Sequence, residues 1–344
     1  MTHFSKNCTL TIALLFVVVL TSCSPNAKNK NEESEIPEVT ITEPEIAEAE
    51  IAEAEIAEAE VAEAEITEAE IAEAEVAEAE ITEPEIAEAE ITEVNNDESP
   101  SPETINGWLK AAEQGDAEAL FYLANCYSNG NGVEEDMEKA IKLLSQSAEQ
   151  GFAPAQLELG NCFYYGNGVD KNSKEAVKWY LKAAEQGVAD AQCNLGVCYE
   201  NGDGVDKDSE EAVKWLRKAA EQGDALALYN LAQFYHLGNV VDKDMAEAAR
   251  LYRKSAEQGY PPAQQNIGIC YALGNGVDKD KTEAAKWFRK AAEQNFAEAQ
   301  FNLGVCYLFG EGVKKDAEEA VKWFRKAASQ GDAKAIDMLK KLDK

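Results

Sequence analysis

Residues 189–224 read ADAQCNLGVCYENGDGVDKDSEEAVKWLRKAAEQGD, and they are the third of six 36-residue copies that fill residues 117–332. No insertion or deletion separates the copies. We call them units 1 to 6, and they span 117–152, 153–188, 189–224, 225–260, 261–296 and 297–332. A repeat of this length is typical of small helical units that stack and bury their apolar faces against one another. The repeat therefore predicts a long exposed surface, which favours binding over catalysis.

Each unit predicts two helices joined by a turn. Small and apolar residues recur at helical spacing in both halves of the unit. In unit 3 the Asn-Gly-Asp-Gly turn at 201–204 ends the first helix. Asp208, with Glu211 three residues later, predicts a capping box at the start of the second. Gly223 predicts a left-handed end to that helix.

Three sequence elements recur through the units: A-x-A-Q-x-N-L-G-x-x-Y, N-G-x-G-V and A-V-K-W-x-x-K-A-A-E-Q-G. They resemble the Sel-one-like repeat, a relative of the tetratricopeptide repeat. The resemblance implies an all-α fold, a right-handed α-solenoid of six helix-turn-helix repeats within a domain at 101–344. Residues 104–116 and 333–344 match half-units and predict half-repeat caps. The family also implies a protein-interaction scaffold, often in bacterial envelopes and signalling.

The amino terminus predicts export and a lipid anchor. Lys6 precedes an apolar segment at 10–20, which is too short to span a membrane comfortably and has the size of a signal-peptide core. Residues 20–23, Leu-Thr-Ser-Cys, resemble the lipobox of bacterial lipoproteins. The resemblance implies a signal peptide at 1–22, lipidation of Cys23 and, from Ser24, an outer-membrane location facing the periplasm. The alternative is an ordinary signal peptide followed by an incidental cysteine.

Residues 23–100 predict an acidic spacer behind that cysteine. Pentapeptides such as IAEAE repeat through 41–93, and residues 31–100 hold 27 acidic and no basic side chains. A five-residue period spreads Ile and Val around a helix, so no apolar stripe forms. We expect a disordered or partly helical segment, or alternatively a polyanion that captures cations or a basic partner. Residues 101–344 carry 38 acidic and 29 basic side chains, which argues against nucleic-acid binding.

The repeat cysteines predict packing rather than chemistry. Five of them share one position of the unit, where unit 4 carries Phe234, and Cys193 lies outside that register. Stacked helices place equivalent positions roughly 10 Å apart, which is too far for a disulfide. His236 is the one histidine beyond the predicted signal peptide. We therefore expect no enzyme, no metal site and no cofactor. The residues also lack the Ser-x-x-Lys motif that a β-lactam-binding relative would need.

Partner recognition is expected where the units differ on their first helices. Such positions predict a groove with aromatic anchors for a peptide or helix. The alternative for each residue is packing against the adjacent unit. The candidate partner-binding residues are Phe121, Tyr164, Tyr229, His236, Phe301 and Leu308.

Together these features predict a non-catalytic interaction scaffold or regulator, tethered through Cys23 to the membrane of a bacterial cell envelope. The expected partner is an envelope protein or peptide of unknown identity, with neither nucleic acid nor a small-molecule substrate. Two alternatives stay open. One is a hydrolase acting on cell-wall material or β-lactams, as in cysteine-rich relatives, and the other is a surface or secreted factor that engages host proteins.

Overall fold

The computed structural model describes residues 100–342, and over this range the chain forms 14 helices and no strand. In chain order they are α1 Pro102–Glu113, α2 Ala117–Asn129, α3 Met137–Glu149, α4 Ala153–Tyr165, α5 Ser173–Glu185, α6 Ala189–Asn201, α7 Ser209–Glu221, α8 Ala225–Leu237, α9 Met245–Glu257, α10 Pro261–Leu273, α11 Lys281–Glu293, α12 Ala297–Phe309, α13 Ala317–Ser329 and α14 Ala333–Leu342.

The helices α2 to α13 form six pairs, one for each unit, and α1 and α14 are half-units at the two ends. Each helix packs against the helices before and after it in the chain. A pair cannot bury its own apolar stripe, so the core runs through the junctions between units. The predicted all-α solenoid of six repeats is confirmed.

Glycines end the first helix of each unit and set the approach to the preceding unit. In unit 3 Gly202 adopts a φ of 79°, and its N–H donates to the Cys198 carbonyl at 2.9 Å. Gly204 also has positive φ, and a Cβ there would collide with the Ser173 carbonyl of unit 2. The turn therefore needs glycine for its conformation and for its contact.

The second helix of the unit is capped at its amino end by the residue that precedes it. The Asp208 carboxylate accepts a hydrogen bond from the Glu211 N–H at 3.0 Å, as predicted. The reciprocal half of the expected capping box is replaced. The Asp208 N–H donates to the Tyr199 carbonyl at 2.9 Å, and the Glu211 carboxylate instead pairs with Lys214 at 2.8 Å. The end of the first helix thus satisfies the donor that the glutamate would have taken.

A glutamine ladder joins most neighbouring units. In unit 3 the buried Gln192 side chain donates to the Ala184 carbonyl of unit 2 at 3.0 Å and accepts from Gln222 at 2.8 Å. Units 1 and 4 carry leucine at this position. There Ser255 of unit 4 donates to the Ala225 carbonyl at 2.6 Å. The same ladder position is occupied by Gln156, Gln192, Gln264 and Gln300 in units 2, 3, 5 and 6.

The eighth residue of the first helix sets how closely the two helices of a unit approach. It is glycine in the four units with the glutamine ladder. In unit 5 a Cβ on Gly268 would lie 2.6 Å from Cε1 and 2.7 Å from Cδ1 of the buried Phe288 ring. Units 1 and 4 have Ala124 and Ala232 here. Units 1 and 4 thus differ from the other four units at three positions together. Leucine replaces the ladder glutamine, serine replaces an alanine of the second helix, and alanine replaces this glycine.

Candidate functional site

Two of the predicted aromatic anchors lie inside the stack. Phe121 is 5% exposed and packs edge-on against Phe152, with ring centroids 5.4 Å apart. Tyr229 is 6% exposed and packs the same way against Tyr260 at 5.2 Å. Both contacts reach the last residue of the same unit, where the next unit begins. These side chains therefore join units and leave little surface for a partner.

The other four predicted residues are half-buried on the first helices. The Tyr164 hydroxyl donates to Asp203 Oδ2 of the next unit at 2.9 Å, and burial together with this carboxylate raises the pKa of Tyr164. His236 packs against Tyr252 and Phe301 against Phe324, with ring centroids 6.5 and 5.6 Å apart. Leu308 packs beside the core of unit 6. Each keeps a partly accessible edge.

A slot between α6 and α8, at the junction of units 3 and 4, lies outside that set of residues. Its volume is about 40 Å³, and Val197, Leu216 and Phe234 form its apolar walls. Its polar lining consists of Glu200, Asn201, Asn230, Gln233 and Asn239, and Leu237 stands at its edge. Val197, Gln233 and Glu200 occupy positions that vary between units. The sequence signal for the slot was the unit 4 turn, which reads GNVV where the other units read G-x-G-V.

That turn holds an unusual backbone conformation. Val240 has a φ of 66°, where the equivalent residue in the other five units is glycine with a φ from 69° to 74°. A β-branched residue in the left-handed region costs on the order of 1–2 kcal/mol. The turn closes with the Val241 N–H on the Asn239 carbonyl at 2.7 Å. Val240 and Leu237 are 49% and 38% exposed, so apolar side chains face solvent beside the slot.

A pair of carboxyl groups lies at the other end of the same two helices. Asp190 is at the start of α6, and the Asp224 carboxylate caps α8 by accepting from the Ala227 N–H at 2.6 Å. Burial, and then the adjacent Asp224 carboxylate, raises the pKa of Asp190 to about 6. Cys193 lies fully buried beside them. This junction is therefore negatively charged at neutral pH.

The six cysteines of the described residues are all buried and free. This confirms that they pack as small apolar residues, and Phe234 fills the same position in unit 4. Burial raises the pKa of the Cys198, Cys270 and Cys306 thiols to about 12. A thiol held in this state is a poor nucleophile, since the thiolate is the reactive form.

Residues 100–342 contain no cluster of His, Cys, Asp and Glu that could hold a metal ion. Within the same range no helix has the length and apolar character needed to cross a bilayer. The predicted lipidation site, Cys23, and the acidic spacer lie outside the described residues.

Comparison with known proteins gives one family and several solved structures. The Sel1 repeat model matches all six units, residues 117–332. The structure of c5321, a protective antigen present in uropathogenic Escherichia coli strains, is 37% identical with a TM-score of 0.63, over 67% of this chain and 50% of that one. A Sel1 repeat protein from Oxalobacter formigenes is 35% identical with a TM-score of 0.61, over 66% of this chain and 94% of that one. The chain thus spans half the length of the first of these. A comparison with curated proteins gave no match.

Proposed function

Since the chain belongs to the Sel1 repeat family, we propose that it is a non-catalytic protein-interaction scaffold tethered to a bacterial cell envelope through lipid on Cys23. Sel1 repeat proteins are generally non-enzymatic scaffolds, and repeats of this kind typically bind protein partners. The observation that carries the proposal is that shared and variable residues of the units have different structural roles. Shared residues build the core and the caps, while variable first-helix residues leave a partly apolar surface and a slot at one junction.

The partner surface is assigned to the first helices rather than the second. The second helices carry a regular set of surface ion pairs, such as Lys214 with Glu211 and Lys286 with Glu283. Such exposed pairs suit a solvated face, and each contributes little energy. The first helices instead expose large apolar side chains near their ends, among them Tyr165, Leu237 and Phe309. These three occupy the same position of units 2, 4 and 6, and exposed apolar side chains gathered on one surface are typical of interaction sites.

Site-directed photo-crosslinking in the native envelope tests the scaffold. A photoreactive side chain at Leu237 samples the first-helix surface, and one at Lys214 on the second helix is the matched control. We expect protein adducts from Leu237 and few from Lys214. If neither Leu237 nor the exposed Tyr165 and Phe309 positions yield a protein adduct, the scaffold proposal fails.

The anchor is tested separately by the Cys23→Ala variant. We expect the unaltered chain in the membrane fraction and the variant in the soluble fraction, because acyl chains hold the protein at the bilayer. Equal distribution of the two would remove the lipid anchor from the proposal.

A second candidate is a surface factor that engages host proteins. It is favoured by the 37% identity to c5321, which is a protective antigen. Protease treatment of intact cells separates the two compartments. Loss of the solenoid from intact cells supports the surface factor, and survival until the outer membrane is opened supports the periplasmic scaffold.

A further inference from the structure

The shape and lining of the slot at the junction of units 3 and 4 suit a peptide ligand. Its walls are apolar, and its volume of about 40 Å³ suits the end of one aliphatic side chain. The neighbouring Leu237 and Val240 extend the apolar surface to the outside. An apolar pocket with a few polar groups around it is the usual form of a recognition site.

Two buried polar atoms lining the slot have no hydrogen-bond partner. The Asn230 side chain is 7% exposed, and its Nδ2 is an unpaired donor. Glu200 Oε1 pairs with Lys207 at 3.1 Å, while its Oε2 is buried and unpaired. Leaving such a group buried and unpaired is unfavourable, so a ligand that pairs it gains affinity. A peptide carbonyl would accept from Asn230 Nδ2, and a cationic side chain would donate to Glu200 Oε2.

The charge around the slot selects the sign of the ligand. Glu200 is the acidic residue of the slot lining; Lys207 pairs with one of its oxygens and the other oxygen has no partner, while Asp203 follows in the turn after α6. A carboxylate oxygen without a partner favours basic segments over acidic ones. The chain's own spacer has apolar residues between glutamates and no basic side chain at 31–100, so it fits the walls and conflicts with the charge.

We infer that the slot between α6 and α8 receives an aliphatic side chain from a basic peptide segment of a partner protein, with an adjacent Lys or Arg of that segment paired to Glu200. Asn230 bonds the backbone of the same segment, and Leu237 and Val240 cover its apolar side chain. The inference rests on the proposed scaffold function and assigns its partner class.

The test is an affinity selection of a random octapeptide display library on the full chain, purified in detergent. The recovered peptides are then measured by fluorescence anisotropy against variants. We expect an aliphatic residue next to Lys or Arg in the recovered sequences. Losing one charged hydrogen bond should weaken binding by about tenfold in Glu200→Gln. Leu237→Ser should weaken it similarly.

Two control variants repeat these substitutions away from the slot. Glu298→Gln makes the same charge change at an exposed site on α12, and Leu273→Ser alters the equivalent position one unit later. Both should bind within twofold of the unaltered chain. Selection on Glu200→Lys should exchange the recovered Lys or Arg for Asp or Glu. Unchanged melting curves show that each variant is folded, which is expected because Leu237 is already partly in solvent.

Three results of the selection and of the variant measurements overturn the inference: no enriched peptide, peptides without basic residues, or binding that neither Glu200→Gln nor Leu237→Ser weakens. Stronger binding of a synthetic peptide of residues 46–60 would identify the spacer as the occupant and also overturn it. If photo-crosslinks at other first-helix positions were still found, the scaffold function would hold and only the assignment of the slot would fail. Absence of both peptides and crosslinks would remove the scaffold as well.

Discussion

Replacing Gly268 with alanine should destabilise unit 5, although alanine is the better helix former. The new Cβ would lie 2.6 Å from Phe288 Cε1 and 3.3 Å from Cζ, and the Phe288 side chain is buried in the core. Overpacking of this kind costs about 1–3 kcal/mol. The gain in helix propensity is about 1 kcal/mol. We expect a net loss of roughly 1 kcal/mol, since Ala124 and Ala232 show that other units accept alanine here with different neighbours.

Gly107→Ala is the control, because this helical glycine of α1 has open space around it. That substitution should stabilise α1 by about 1 kcal/mol. Hydrogen exchange read by mass spectrometry is the suitable assay, since units of a repeat protein open separately. Exchange in α10 and α11 should accelerate about fivefold in Gly268→Ala. That cost should disappear in a Phe288→Leu background. Equal stabilisation by both glycine substitutions would refute the close-packing argument.

Three further outcomes follow from the caps and the buried acids. Asp280→Ala should lower the free energy of unfolding by about 1 kcal/mol, because the carboxylate caps α11 through two N–H groups. Asp278→Ala makes the same charge change and should alter it by no more than about 0.5 kcal/mol. Thermal melts of the two variants measure the difference. Asp190→Asn should slow hydrogen exchange at the junction of units 3 and 4. The pKa of Asp190 rises from 3.8 to about 6 on folding, so this gain is full above pH 6 and absent near pH 4, and a constant gain would contradict it. Burial raises the pKa of the Cys198 thiol from 9.0 to about 12, and the other repeat thiols follow it, so stability should fall as pH rises between these values. At pH 8 a thiol reagent should label the native chain far more slowly than the unfolded one.

Features fixed within one unit could be predicted from the sequence. The helix ends depend on residues close in the chain, such as Asp208 and Gly223, and their six-fold recurrence repeats the signal. The burial of the cysteines followed from one position that accepts either Cys or Phe234. Within the described residues these local predictions are confirmed, except for the glutamate half of the capping box, which the Tyr199 carbonyl replaces.

Features created between units were harder to predict. Phe121 and Tyr229 vary between units, which made them partner candidates, yet aromatic residues at 152 and 260 cover them. A helical pattern shows which residues share a face and does not show which neighbour covers that face. The slot likewise depends on α6, α7 and α8 together. Only the missing glycine at Val240 marked its position in the sequence.

The glutamine ladder also determines how the stack responds to load. The ladder glutamines tie unit 1 to 2, 2 to 3, 4 to 5 and 5 to 6. At the joint between units 3 and 4, Leu228 replaces that glutamine, and Gln258 Nε2 donates to the Gly223 carbonyl at 2.8 Å instead. The joint where the slot lies is therefore held by a different contact from the ladder. A ligand wedged there would set the curvature of the whole stack, and a tension on the stack would in turn change how tightly the ligand is held.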